Sequence, residues 1–204
     1  MTMFTKKELI TLKKLKSPVQ AQDFLNQIPI NFEPGGKQTL KSPLMVLRTR
    51  SAHCFEGALL GAYMLSLHSF PPLLMVLAAK KKDLDHVIAP FKQRGLWGAL
   101  SKTNHAVLRY REPVYRSIRE LAMSYFHEYF TDSGEKTLIK YSRPFNLQTL
   151  KFDWVTATDD LWDIDIMLDK IKYYPIAPKP VLKKLRRADQ LERQAGTLVD
   201  WKKK

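Results

Sequence analysis

The chain has 204 residues, 45% of them hydrophobic and 11% aromatic, which is enough to bury a core in one domain with extensions and excludes a disordered chain. Lysine and arginine total 34 against 20 acidic residues, a net charge of +14, yet the excess lies at the ends: 5 basic and 1 acidic residue in 1–16, 18 and 16 in 17–169, and 11 and 3 in 170–204. A nearly neutral body argues against a nucleic-acid-binding domain with its patch on the fold, and leaves the C-terminal tail as the part expected to bind nucleic acid or an acidic partner, weakly and electrostatically.

From the N-terminus, MTMFTKKELITLKKLK mixes lysines through its apolar residues and has no separate apolar core, so it reads as a basic extension over 1–16 and not as a secretory signal. The expected location is the cytoplasm. Ser17-Pro18-Val19-Gln20 supplies a capping hydroxyl, a proline at the first helical position and a glutamine three after the cap, predicting a short helix over 18–27. Pro29, Pro34-Gly35-Gly36 and Pro43 mark an extended loop leading to Cys54, a candidate rim for a cleft.

From Cys54 to about Leu67 the run CFEGALLGAYMLSL is rich in helix formers, with Gly57, Ala58, Gly61 and Ala62 spaced to let one face pack closely. Pro71-Pro72 ends that segment, and Leu73 to Ala79 reads as an interior strand. The apolar stretches 58–67 and 70–79 are both broken by polar residues or proline and fall short of the ~20 residues a membrane span needs. His86–Phe91 and Leu96–Ser101 then form a hairpin around Lys92-Gln93-Arg94-Gly95, and a symmetric loop places His86 opposite Ser101. Pro113 to Phe130 has the spacing of one amphipathic helix, with Glu128 on its wet face. Asp132-Ser133-Gly134 is a turn, 137–141 a short strand and 159–173 a helix. The domain is expected over 17–174, and 175–204 reads as a proline linker, a basic helix and a lysine tail.

Cys54 is the single cysteine, which excludes an intramolecular disulfide and a multi-thiolate zinc site. No phosphate loop, dinucleotide fingerprint, zincin or calcium motif is present, so neither metal nor cofactor is expected. A cysteine opening a buried helix sits at the positive end of the helix dipole, which favours thiolate. Thiol catalysis also needs a histidine oriented by a third polar group, and His86 at the start of a strand suits that part. A lone cysteine also serves as inert packing, and His53, His68, His105 and His127 read as helix-end or boundary residues. Asp83 and Asp85 read as turn residues. Arg109, Arg111, Arg116 and Arg119 read as a network pairing with Glu112 and Glu120.

The run CFEGALLGAYML, followed by DLDHVIAPFKQRGLWGALSKTNH and LRYREPVYRSIRELAMSYF, resembles bacterial proteins in or near the transglutaminase-like superfamily, over roughly Ser42 to Phe145. The resemblance implies an α+β, papain-like core with a Cys-bearing helix on a small antiparallel sheet and additional helices. It implies Cys54 as nucleophile and His86 as acid/base. Where that superfamily places an aspartate four residues after the tryptophan, here Trp97, this chain has Ser101, which accepts a hydrogen bond but brings no charge. Asn104 is an alternative third member, and Trp97 and Glu56 are candidate substrate-binding groups, although Glu56 also suits the helix dipole as a first-turn acid. The expected activity is thiol-dependent hydrolysis or acyl transfer at a peptide or protein amide, as a peptidase, deamidase or transglutaminase. The alternative is an inactive module of the same fold whose basic ends bind an acidic partner or nucleic acid.

Overall fold

The computed structural model describes residues 3–199, so the expected lysine tail at 202–204 lies outside the described residues. Most helices begin at a side-chain cap, which satisfies backbone N–H groups that have no intrahelical partner. Thr5 opens α1 (Lys6–Lys13) in a reciprocal box with Glu8, Ser17 opens α2 (Pro18–Gln27), Ser42 opens α3 (Pro43–Thr49) and His53 opens α4 (Cys54–Ser66). Ser117 caps α5 (Ile118–Met123), α6 spans Trp162–Lys170, α7 is the single turn Lys179–Leu182, and Asp189 caps α8 (Gln190–Gly196).

The strands are β1 (Leu73–Ala79), β2 (His86–Gln93), β3 (Leu96–Leu100), β4 (Arg111–Tyr115), β5 (Leu138–Ser142), β6 (Phe145–Asn146) and β7 (Tyr173–Pro175). They form one antiparallel sheet ordered β4-β3-β2-β1-β5-β7, with β6 also on β1. Alternate residues of β1 and β2 feed two cores. Leu74, Val76, Val87, Ala89 and Phe91 face α2, α4 and α6, whereas Met75, Leu77 and Ile88 face α5 and the aromatic residues that follow it. Helices therefore cover both faces, which is why β1 reads as an unbroken apolar run. The expected α+β class, with the Cys-bearing helix against an antiparallel sheet, is the observed one. Among the described residues no helix is long and apolar enough to cross a membrane.

The structure differs from the sequence reading in four places. The loop before Cys54 holds a helix, α3, opened by Ser42-Pro43, the same cap-then-proline pattern that opens α2. The expected single helix over 113–130 divides: residues 111–115 pair with β3 as the edge strand β4, where Pro113 needs no ladder donor, and Ser117 then caps the shorter α5. The hairpin turn is the two residues Arg94-Gly95, both at positive φ, so Phe91 pairs with Gly98 and not Leu96. The ends also pack on the body: Leu12 is buried and Phe4 stacks on Tyr63 at 5.3 Å, while Ile176 and Ala188 are buried within the stretch read as a tail.

Candidate active site

Cys54 occupies the first position of α4, and His86 is the first residue of β2, where the strand leaves the Lys80–Asp85 connection. Ser101 directly follows β3. Extending the hairpin register places Ser101 opposite Ile88 rather than opposite His86. Because side chains alternate with a period of two, a two-residue correction keeps His86 and Ser101 on one face as diagonal neighbours, within reach of a ring. His86 Nε2 and Ser101 Oγ lie 2.8 Å apart, and both residues are buried.

The direction of that bond follows from Ser101's other partner. Its hydroxyl donates to the Leu108 carbonyl, which has lone pairs only, so Oγ must accept from His86 Nε2–H. The proton on Nε2 leaves Nδ1 as the acceptor nitrogen of the neutral ring, and the Cys54 thiol lies near enough to His86, to His53 and to the Val87 backbone N–H for each to favour its charged form. Burial alone would raise the thiol's pKa. The two imidazoles and the Val87 N–H outweigh it and bring the pKa from 9.0 down to about 5. Cys54 remains partly exposed.

His53 is the residue the sequence reading underrated. It sits immediately before Cys54, where the first helical residue turns its side chain back toward its cap. Its Nε2 meets the Thr39 carbonyl at 2.8 Å, with Glu56 at 3.6 Å and Glu33 at 3.8 Å. Burial disfavours its charged form, but the hydrogen bond to Cys54 and the Glu56 carboxylate prevail and raise its pKa from 6.5 to about 9. Its Nδ1 has two exclusive states. As a lone pair it accepts the Phe55 N–H at 3.2 Å and caps α4; in the imidazolium it carries a proton and cannot accept that bond.

Glu56 is 0% exposed and is not open to substrate, which corrects its candidacy as a substrate-binding group. Its carboxylate accepts from Asn31 Nδ2, Thr39 Oγ1 and the backbone N–H groups of Lys41 and His53, with Lys41 Nζ at 3.5 Å. That set fixes the loop 31–41 to the start of α4. The first-turn reading of Glu56 agrees with its position in the cap.

Three further groups hold Ser101 and carry no sequence signal beyond a polar residue on an amphipathic helix or in a loop. Gln22 of α2 clamps the Ser101 backbone twice, donating to its carbonyl at 2.8 Å and accepting its N–H at 2.9 Å. Lys102, also buried, donates to the Ile28 carbonyl and passes so near α4 that a Cβ on Gly57 would lie 2.3 Å from its own Cβ. Glu128 accepts the Leu108 N–H at 2.8 Å and Arg111 Nη2 at 2.6 Å, holding Leu108 at φ 58°. The basic cluster thus pairs through Arg111 with Glu128 and not with the expected Glu112, and Arg111 also lies 4.1 Å over the Tyr125 ring.

Cys54, His53 and His86 open on a cleft of about 460 Å³. Asn104 and the loop residues Asp83 and Asp85 line it, and the last of these accepts the Ala79 N–H at 2.7 Å across the β1–β2 connection. Trp97 is not among the lining residues; it pairs with Lys92 and Tyr115 at the far end of the hairpin. Among the described residues no group of three or more His, Cys, Asp or Glu side chains could hold a metal ion.

No protein-family model matches the chain, and no curated protein matches it. Among solved structures, Legionella pneumophila LapG in an EGTA-treated form is similar over 80% of this chain and 79% of its own, with 13% identity and a TM-score of 0.40. So slight a likeness transfers no residue role.

Proposed function

We propose that the protein is a thiol-dependent amide hydrolase or acyl transferase of the transglutaminase-like type, acting on a peptide or protein amide. What supports this reading is the pair of hydrogen bonds from His86 to Ser101 and from Ser101 to Leu108, beside Cys54 in a cleft that Cys54 and His86 both line. It fixes the His86 tautomer, which a packing cysteine does not need.

The Cys54 thiolate attacks the amide carbonyl carbon and forms a C–S bond, and the oxyanion is met by the Cys54 backbone N–H, which as the first N–H of α4 has no intrahelical partner. His86 Nδ1–H passes its proton to the leaving nitrogen as the C–N bond breaks, and an amine departs. Water, or an acceptor amine, then attacks the thioester while His86 takes its proton, the C–S bond breaks and the thiolate returns. Ser101 holds the ring through both transfers, and its neutral hydroxyl leaves the imidazolium to be balanced by the thiolate.

The test is the rate of Cys54 alkylation by iodoacetamide across pH, beside the same measurement on His86→Ala and a screen of peptide and glutamine-amide substrates. The reading expects fast alkylation that persists to about pH 5, lost at low pH in the variant, together with amide turnover abolished by Cys54→Ala. Alkylation confined to the unfolded chain would overturn it.

A further inference from the structure

The cleft beside Cys54 keeps part of its apolar wall in water. Leu84 is 84% exposed, and Ile30, Val107, Leu108 and Phe130, none of them fully buried, line the same cleft as Cys54 and His86. A single leucine exposed on a convex surface is ordinary, whereas apolar side chains gathered around a concave site with a few polar groups are the usual lining of a ligand pocket.

The backbone holds Leu84 in that place. Its N–H donates to Asp83 Oδ1 at 2.8 Å, and its carbonyl accepts the Tyr129 hydroxyl. The neighbours are tied as well: the Asp83 N–H donates to the Lys80 carbonyl at 2.9 Å, the other Asp83 carboxylate oxygen accepts the Thr137 hydroxyl, and Asp85 accepts the Ala79 N–H at 2.7 Å. Lys80 Nζ meets Glu135 at 2.8 Å behind the loop. Moving the leucine into the core would require several of these bonds to break, so the exposure is built into the β1–β2 connection.

The position of Leu84 decides which half of a substrate it meets. In the proposed reaction His86 gives its proton to the leaving nitrogen, so the chain that leads into His86 faces the amine part of the amide. Leu84 stands two residues before His86, about 7 Å away along an extended segment, which is within reach of a residue attached to that nitrogen. We propose that Leu84 is a specificity-determining residue that receives an apolar group on the amine side of the scissile bond. The substrate is then a peptide bond, or another secondary amide, followed by an apolar residue. A primary amide releases ammonia and places nothing against this wall. The proposal rests on the reading of Cys54 as nucleophile and His86 as acid/base, and its experiment compares reagents so that the two can fail separately.

The experiment alkylates Cys54 in the full chain, in Leu84→Ser and in Leu84→Met with iodoacetamide, N-butyl-iodoacetamide and N-(2-methoxyethyl)-iodoacetamide, each rate being divided by that of glutathione with the same reagent. The last two reagents have substituents of equal length on the amide nitrogen and differ in polarity. Removing about 40 Å² of apolar surface from water corresponds to about fivefold in rate. In the full chain the butyl reagent should therefore react about fivefold faster than the methoxyethyl one. Leu84→Ser should bring that ratio close to unity, and Leu84→Met should keep most of it. A ratio near unity in the full chain, or one that survives in Leu84→Ser, would overturn the proposal, while fast alkylation by iodoacetamide in the same series would leave the Cys54–His86 reading standing. Slow alkylation of the folded chain by all three reagents would overturn both.

Discussion

Ser101 gives its own proton to the Leu108 carbonyl and accepts that of His86 Nε2 at 2.8 Å, so one hydroxyl fixes both the tautomer and the orientation of the imidazole. Ser101→Ala leaves Nε2–H buried without an acceptor and frees the ring to turn. Alkylation of Cys54 at pH 6 and any amide turnover should fall roughly tenfold to a hundredfold. Ser101→Asn carries an acceptor for Nε2–H and a donor for Leu108 on one planar group and should keep most of the rate. Equal loss in both variants would assign Ser101 a purely spatial role.

With the Cys54 pKa brought down to about 5 and that of His53 raised to about 9, the thiolate is present wherever the pH exceeds about 5. Alkylation should reach half its plateau near pH 5 and stay level through pH 8, where a free thiol would still be rising. Loss of a cation disfavours the neighbouring anion, so His53→Asn should move the midpoint upward by about one to three pH units. Asparagine is itself a strong N-cap, which keeps α4 intact; a stopped-flow pH series on both proteins gives the comparison.

Glu56→Gln replaces a buried acceptor of several donors with a group that must itself donate. Urea unfolding should register a loss of about 3 kcal/mol. The loop 31–41 should exchange its amide hydrogens faster than β1 and β2, which do not depend on that carboxylate.

Gly57→Ala puts a methyl 2.3 Å from Lys102 Cβ, so α4 and the Ser101–Lys102 segment must separate. A stability loss of about 1–3 kcal/mol is expected, with the alkylation midpoint rising as His86 loses its support. A crystal structure of the variant should show Ser101 displaced while α4 stays helical.

Much of the frame was legible because its signals are local. Ser17-Pro18 marks α2, the run 73–79 coincides with β1, and Cys54 begins its helix where the spacing of small residues says it should. The pairing of His86 with Ser101 was legible for a subtler reason: the hairpin turn has two residues and not four, but the correction is an even number, so the face survived the error. His53 was legible as a helix-end residue, which its place as the cap of α4 agrees with, but its influence on the thiol was not, because no spacing rule assigns a part to a neighbour of the nucleophile. Gln22, Glu128 and Leu108 were invisible because each acts through a backbone N–H or carbonyl of the loop that follows β3, which no side-chain pattern encodes. The division of 113–130 was decided by tertiary pairing with β3, which overrode a helical periodicity that the sequence does possess.

The tight Arg94-Gly95 turn has a practical consequence. It stands at the opposite end of β2 from His86, about 23 Å away at the rise of a strand, with both residues exposed and open space around Gly95. A dye or affinity handle attached at position 94 would report on the protein's whereabouts and tumbling without entering the cleft, and would leave both ends of the chain as they are.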